Sequence, residues 1–158
     1  VRAMGVKAVQ ALGLQSGLTH MEWFRRPDGS LAIGEIAARP PGAQIVRLHG
    51  LARGISFYRA WARAVVHDVY DGAPRQSHAV ACAYLRGMGR GRVLGVDGVK
   101  RTRDALGELI AEAELPVLGA PKSDSYEGDG YVILRHPDSG VVRRAAQFVI
   151  DNIRVHYG

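Results

Sequence analysis

The sequence predicts an α+β fold built on mostly antiparallel sheets with packed helices. Two observations predict it. Short strand-like apolar runs are bounded by Gly- and Pro-bearing turns, and one pair of them is close enough to form a hairpin. Between the runs lie segments whose apolar residues recur at helical spacing. The chain has 158 residues, enough for one domain or two small lobes. The polar stretch from Asp71 to Ser77, which carries Gly72 and Pro74, is the expected boundary, giving parts 1–72 and 73–158.

In the first part, Val6, Val9, Leu12 and Leu14 predict an amphipathic helix ending at Gly13. Two strands follow, Leu18 to Phe24 and Leu31 to Ala38, joined by Arg25-Arg26-Pro27-Asp28-Gly29-Ser30. Pro40-Pro41-Gly42 is a loop. From Ile55 to His67 a helix is expected, with Phe57, Tyr58, Trp61, Ala62 and Val65 on one face.

The second part predicts a strand from Ala79 to Leu85, a glycine-rich hairpin turn at Gly87-Met88-Gly89-Arg90-Gly91, and a strand from Arg92 to Val96. A helix from Thr102 to Glu114 follows, with Thr102 as N-cap and Leu106, Leu109, Ile110 and Ala113 along it. Leu115 to Leu118 and Tyr131 to Arg135 are expected strands. The last helix, Val141 to Ile153, carries Val142, Ala145, Ala146, Val149, Ile150 and Ile153, and a short strand ends the chain.

Composition narrows the function classes. Apolar residues make up 47% and charged residues 23%, which is globular usage and excludes a disordered tail. No apolar run approaches ~20 residues, so no transmembrane helix and no membrane partner are expected. Cys82 is the single cysteine. It excludes a disulfide framework and a multi-cysteine metal site, fits a reducing cytoplasm, and reads as a small core residue. The start, Val1-Arg2-Ala3-Met4, has neither an initiator Met nor a signal core and reads as cut from a longer chain. The charge of +6 serves solubility or an anionic ligand. The basic residues are dispersed without interleaved aromatics, which argues against nucleic acid.

The chemistry concentrates in Gly17-Leu18-Thr19-His20-Met21-Glu22 and Gly34-Glu35-Ile36-Ala37-Ala38-Arg39-Pro40-Pro41-Gly42. With a four-residue loop, Pro27 to Ser30, Glu22 opposes Glu35 and His20 opposes Ala37, with Arg39 on the same face. Met21, Trp23, Ile36 and Ala38 then face a core. A three-residue loop puts the two acids on opposite faces, because side chains alternate with period 2. Both loop lengths are common, so this reading leaves the register open. Facing acids repel, and a hard cation offsets that: Mg²⁺ takes one or two carboxylates plus phosphate oxygens and waters. Arg39 could then fork onto a phosphate or carboxylate.

The run from Gly17 to Gly42 resembles the metal-binding hairpin of the ATP-grasp superfamily, whose pattern is a Glu on one strand and Glu-x-Asn-x-Arg-x-Gly-Gly on the next. Glu22, Glu35, Arg39 and Pro41-Gly42 match it, and Gly17-x-x-His20-x-Glu22 resembles the carboxylate–amine ligase branch. The resemblance is strong over residues 1 to about 70 and weak over 78 to 158. It implies that 1–72 is the C-terminal half of a grasp domain and 73–158 the subdomain that follows it. It implies ATP and Mg²⁺ (or Mn²⁺) as cofactors, with Glu22 and Glu35 as metal ligands. Arg39 is implied as the catalytic residue that steadies the acyl phosphate or the substrate carboxylate; His20 itself reads either as a cofactor contact that orients Glu22 or a phosphate, or as a polar strand residue. Carboxylate and amine substrates, and the N-terminal grasp half as a missing part of the same chain, are implied with them; a homodimer is compatible. Ala37 stands where the pattern has Asn, a common third metal ligand. A biotin-carboxylase-like carboxylating enzyme and a non-catalytic grasp remnant are the alternatives. A basic nucleic-acid-binding domain is a weaker third. Arg47 and His49 could face a substrate carboxylate or lie on the surface, and the polar, flexible stretch Lys122 to Asp129 could border the active site or simply be loop.

Overall fold

The computed structural model describes residues 1–71 and 75–158. Part of the expected boundary, Gly72, Ala73 and Pro74, lies outside the described residues. The chain divides into two compact units, Val1–Arg47 with Ser56–Ala73, and Leu48–Ile55 with Pro74–Gly158. Residues 48–55 group with the second unit. Among the described residues every strand pairing is antiparallel, and no helix is long and apolar enough to cross a membrane.

The first unit opens with helix α1 (Arg2–Ala11), none of whose residues is buried. Strands β1 (His20–Arg25) and β2 (Leu31–Ala37) form a two-stranded sheet. Helix α2 (Ile45–Arg53), which the sequence reading missed, begins in this unit. Its apolar residues Ile45, Leu48 and Ala52 have helical spacing, and Gly54 with φ +69° lies just past its end. Helix α3 (Phe57–His67) starts at Ser56, whose hydroxyl accepts the Arg59 amide, and stops at Asp68 in the left-handed region. Ala64 is the buried residue of α3, and Phe57, Ala60 and Trp61 share its side. Tyr58, Ala62 and Val65 are exposed, so the inward face is rotated from the expected one.

In the second unit, β3 (Ala79–Leu85), β5 (Ile110–Glu114) and β6 (Gly130–His136) form one sheet in the order β3-β6-β5. A second pairs β4 (Val93–Asp97) with β7 (Arg154–Tyr157). Helix α5 (Ser139–Asn152) turns Val142, Ala145 and Val149 onto Ala83, Leu85, Val132 and Leu134, and these residues are the centre of the core. Its N-cap is Asp138, which accepts the Gly140 and Val141 amides.

Four expectations fail here. The helix predicted from Thr102 to Glu114 is instead α4 (Val99–Leu106), a short 3₁₀ turn and strand β5. Gly107 breaks the helix, so Leu109, Ile110 and Ala113 follow it rather than line it, and 115–118 is not a strand. Thr102 is no cap: Gly98 holds that position with φ +80°, and Thr102 sits mid-helix, 2% exposed. The glycine-rich segment 87–91 is not a hairpin turn either, because β3 pairs with β6 and β4 with β7. It is a crossing between sheets, where a side chain at Gly91 would come within 2.5 Å of the Gly158 carbonyl.

Candidate active site

Loop and strand geometry together determine which face of the hairpin carries the acids. Arg26 and Ser30 are joined by a backbone bond (2.9 Å), Gly29 N–H returns to the Arg26 carbonyl (2.9 Å), and Gly29 has φ +82°. The loop is therefore the three-residue kind with a left-handed glycine. The Asp28 carboxylate accepts the Ser30 amide at 2.8 Å, and hydrogen bonding from the Ser30 side chain first and its amide second holds the acid below its ordinary value.

Such a loop alone would separate the glutamates. Near it the partners are indeed Arg25↔Leu31, Phe24↔Ala32 and Trp23↔Ile33. The register then shifts, and the pairs become Glu22↔Glu35, Met21↔Ile36 and His20↔Ala37. The extra residue is Gly34, a β-bulge. Without it Glu35 would fall across from Met21 on the apolar face and Ile36 would cross to the Glu22 face opposite His20, so the hydrophobic pattern demands the shift. Glycine suits the place: a Cβ there would stand 2.5 Å from the Phe24 ring. Sequence reasoning missed Gly34, although an isolated glycine within a strand is itself a bulge signal.

Glu22 and Glu35 thus lie directly opposite, both more than half exposed. Among the described residues each has one basic side chain beside it. The His20 Nε2 lies 3.3 Å from Glu22 Oε1, and one Arg39 terminal nitrogen lies 3.9 Å from Glu35 Oε1. The other terminal nitrogen of Arg39 donates to the Pro40 carbonyl at 3.1 Å. Arg39 follows the end of β2, ahead of a turn in which Ala43 and Gln44 both take positive φ (55° and 61°). Two consecutive non-glycine residues in the left-handed region cost of order 1–2 kcal/mol each, and such strain clusters where the chain is held for function.

The donor set consists of hard carboxylate oxygens, which suits Mg²⁺ or Mn²⁺. Among the described residues no group of three or more His, Cys, Asp or Glu gathers to hold a metal. The two acids alone would leave most coordination positions to phosphate oxygens and water, which is how Mg²⁺ is usually bound beside nucleotides.

The remaining singled-out residues lie elsewhere. Arg47 and His49 are exposed on α2. His49 Nδ1 accepts from Arg53 at 3.2 Å, and burial followed by the Arg53 charge pushes its pKa down. Cys82 is half-buried on β3, and burial pushes its thiol up. In the polar loop Asp129 is anchored, accepting the Ser123 amide and the Tyr157 hydroxyl.

No family model and no curated protein matches the chain. Solved structures do match it. An L-amino acid ligase from Bacillus licheniformis superposes with a TM-score of 0.78 at 19% identity, over 99% of this chain and 43% of that one. A phosphoribosylglycinamide synthetase from Anaerococcus prevotii gives 0.76 at 16%, over 99% and 41%. An N5-carboxyaminoimidazole ribonucleotide synthetase from Thermotoga maritima gives 0.69 at 18%, over 99% and 42%. The chain therefore spans well under half the length of these proteins. What it shares with them is the α+β fold, the one that the hairpin's resemblance to the ATP-grasp superfamily implies.

Proposed function

We propose that this chain is part of an ATP- and Mg²⁺-dependent carboxylate–amine ligase that works through an acyl phosphate. The observation that carries the reading is the Glu22↔Glu35 pair, opposed on one face with Arg39 beside it. The shared fold with an L-amino acid ligase and two synthetases supports it. In this reading residues 1–72 are the second half of a grasp domain and 73–158 the subdomain after it. The rest of the same chain supplies the adenine side of the cleft.

In the proposed reaction a substrate carboxylate oxygen attacks the γ-phosphorus of ATP, and ADP leaves. An amine then attacks the acyl carbon, phosphate leaves, and the amine nitrogen gives up a proton. Glu22 and Glu35 would hold Mg²⁺ against the terminal phosphates, where the ion neutralises charge on the transferring group. Arg39, past the end of β2, presents a planar donor fork to the acyl phosphate or the substrate carboxylate.

Ala37 favours a second reading, a grasp remnant that binds without catalysing, since a methyl offers no oxygen where the pattern has an amide. The discriminating experiment incubates the full-length protein with ATP, Mg²⁺ and a panel of amino acids, then separates the nucleotides. ADP and phosphate are expected. AMP would rule out the acyl-phosphate route, and no turnover with any acid would favour the remnant. Glu35→Gln should lower kcat sharply.

A further inference from the structure

The register places His20 directly across from Ala37, on the face that carries both acids. Opposed Cβ atoms in a sheet are ~4.5–5.5 Å apart, so a small residue at 37 leaves room that the imidazole can use. His20 Nε2 lies 3.3 Å from Glu22 Oε1. An ionised carboxylate has no proton to give, so the ring N–H is the donor. The histidine side chain is 20% exposed against 57% for Glu22, so it is the more firmly seated of the two. The contact engages Oε1 of Glu22, so Oε2 is the oxygen that would meet an ion.

We infer that His20 is a positioning residue of the carboxylate pair, making up across the strands for the amide that Ala37 lacks. Ligating carboxylates are themselves commonly oriented by an outer hydrogen bond, and losing such a partner typically costs ten- to a hundred-fold in metal affinity. A freely rotating Glu22 would have to be ordered by the ion itself, and its cross-strand neighbour Ala37 offers no help. The inference rests on the acid pair being the metal site.

Titration of the chain with Mn²⁺ alone, followed by the electron paramagnetic resonance signal of free Mn²⁺, tests both levels separately. Glu22→Gln and Glu35→Gln should each weaken binding; if neither does, or if the unmutated chain binds no Mn²⁺, the metal reading itself fails and the inference with it. If the acids matter, His20→Ala should weaken Mn²⁺ binding by about ten- to a hundred-fold. His20→Gln, which keeps a donor, should recover much of that loss, and His20→Phe, which keeps only bulk, should not. Adding Ala37→Asn to His20→Ala should restore binding in part. Unchanged binding in His20→Ala, or full binding in His20→Phe, would overturn the proposal while leaving the acid pair standing.

Discussion

At the scale of single residues, Thr102 and Arg39 present opposite cases. Thr102 is 2% exposed and its Oγ1 has no hydrogen-bond partner among the described residues. A buried hydroxyl without a partner costs ~1–3 kcal/mol of desolvation. Thr102→Val keeps the β-branched shape and removes that cost, so it should stabilise the second unit by about 1 kcal/mol in a urea titration; a destabilised variant would show that the hydroxyl is satisfied. Arg39 is half exposed, with its guanidinium near Glu35 and donating to the neighbouring Pro40 carbonyl. Its removal should leave folding intact, because exposed ion pairs contribute little. In the proposed reaction, Arg39→Ala should cost roughly 2–4 kcal/mol of transition-state stabilisation, by analogy with the loss of one oxyanion donor. Arg39→Lys should recover little of it, since an ammonium lacks the planar fork. Steady-state kinetics would decide, with the loss in kcat rather than in KM.

At the scale of elements, the strongest local signals settled most of the structure. Val142, Ala145 and Val149 gave the buried face of α5, and the apolar alternation around Glu22 and Glu35 gave the paired strands. The failures have physical causes. Leu106, Leu109 and Ile110 continue a helical spacing across Gly107, but that glycine takes φ +32° and turns the chain into a strand that β6 is placed to pair. The hairpin parity was undecidable because two features offset each other, a three-residue loop and a bulge at Gly34. The acids themselves could be named from residue type and spacing; their opposition needed the register. Helix α5 also carries a prediction about pH. Asp138 accepts two backbone N–H groups at its start, first from Val141 and then from Gly140, and they hold its acid below the ordinary 3.8. A depressed folded-state pKa means stability that is present above the unfolded value and lost as pH falls through the folded one. Wild type should therefore lose stability to urea between about pH 5 and about pH 3, and Asp138→Asn should flatten part of that slope. An equal slope in the variant would assign the loss to other carboxylates.

At the scale of the whole molecule, the two units differ in what holds each of them. In the first, the buried hydrophobic residues among those described are Val46 and Ala64, and α1 contributes none. In the second, a contiguous cluster runs through Ala83, Leu85, Val93, Val132, Leu134, Val142, Ala145 and Val149. Burial of apolar surface contributes ~25 cal/mol per Å², so the second unit has far more to lose on opening. The candidate site sits on the first, a two-stranded sheet with its polar face exposed. Sites that must admit and release ligands are drawn from the less stable parts of a structure. Native-state hydrogen exchange should therefore divide the amides into two classes. Those of β3, β6 and α5 should exchange slowest, through opening of the second unit as a whole. Those of β1, β2 and α3 should exchange orders of magnitude faster, through openings that leave the second unit intact. Mn²⁺ should slow exchange in β1 and β2 in proportion to its occupancy, because a ligand that binds only the closed hairpin stabilises that state. Uniform protection across both units would mean that they open together, and that the sparse core of the first is not what sets its stability.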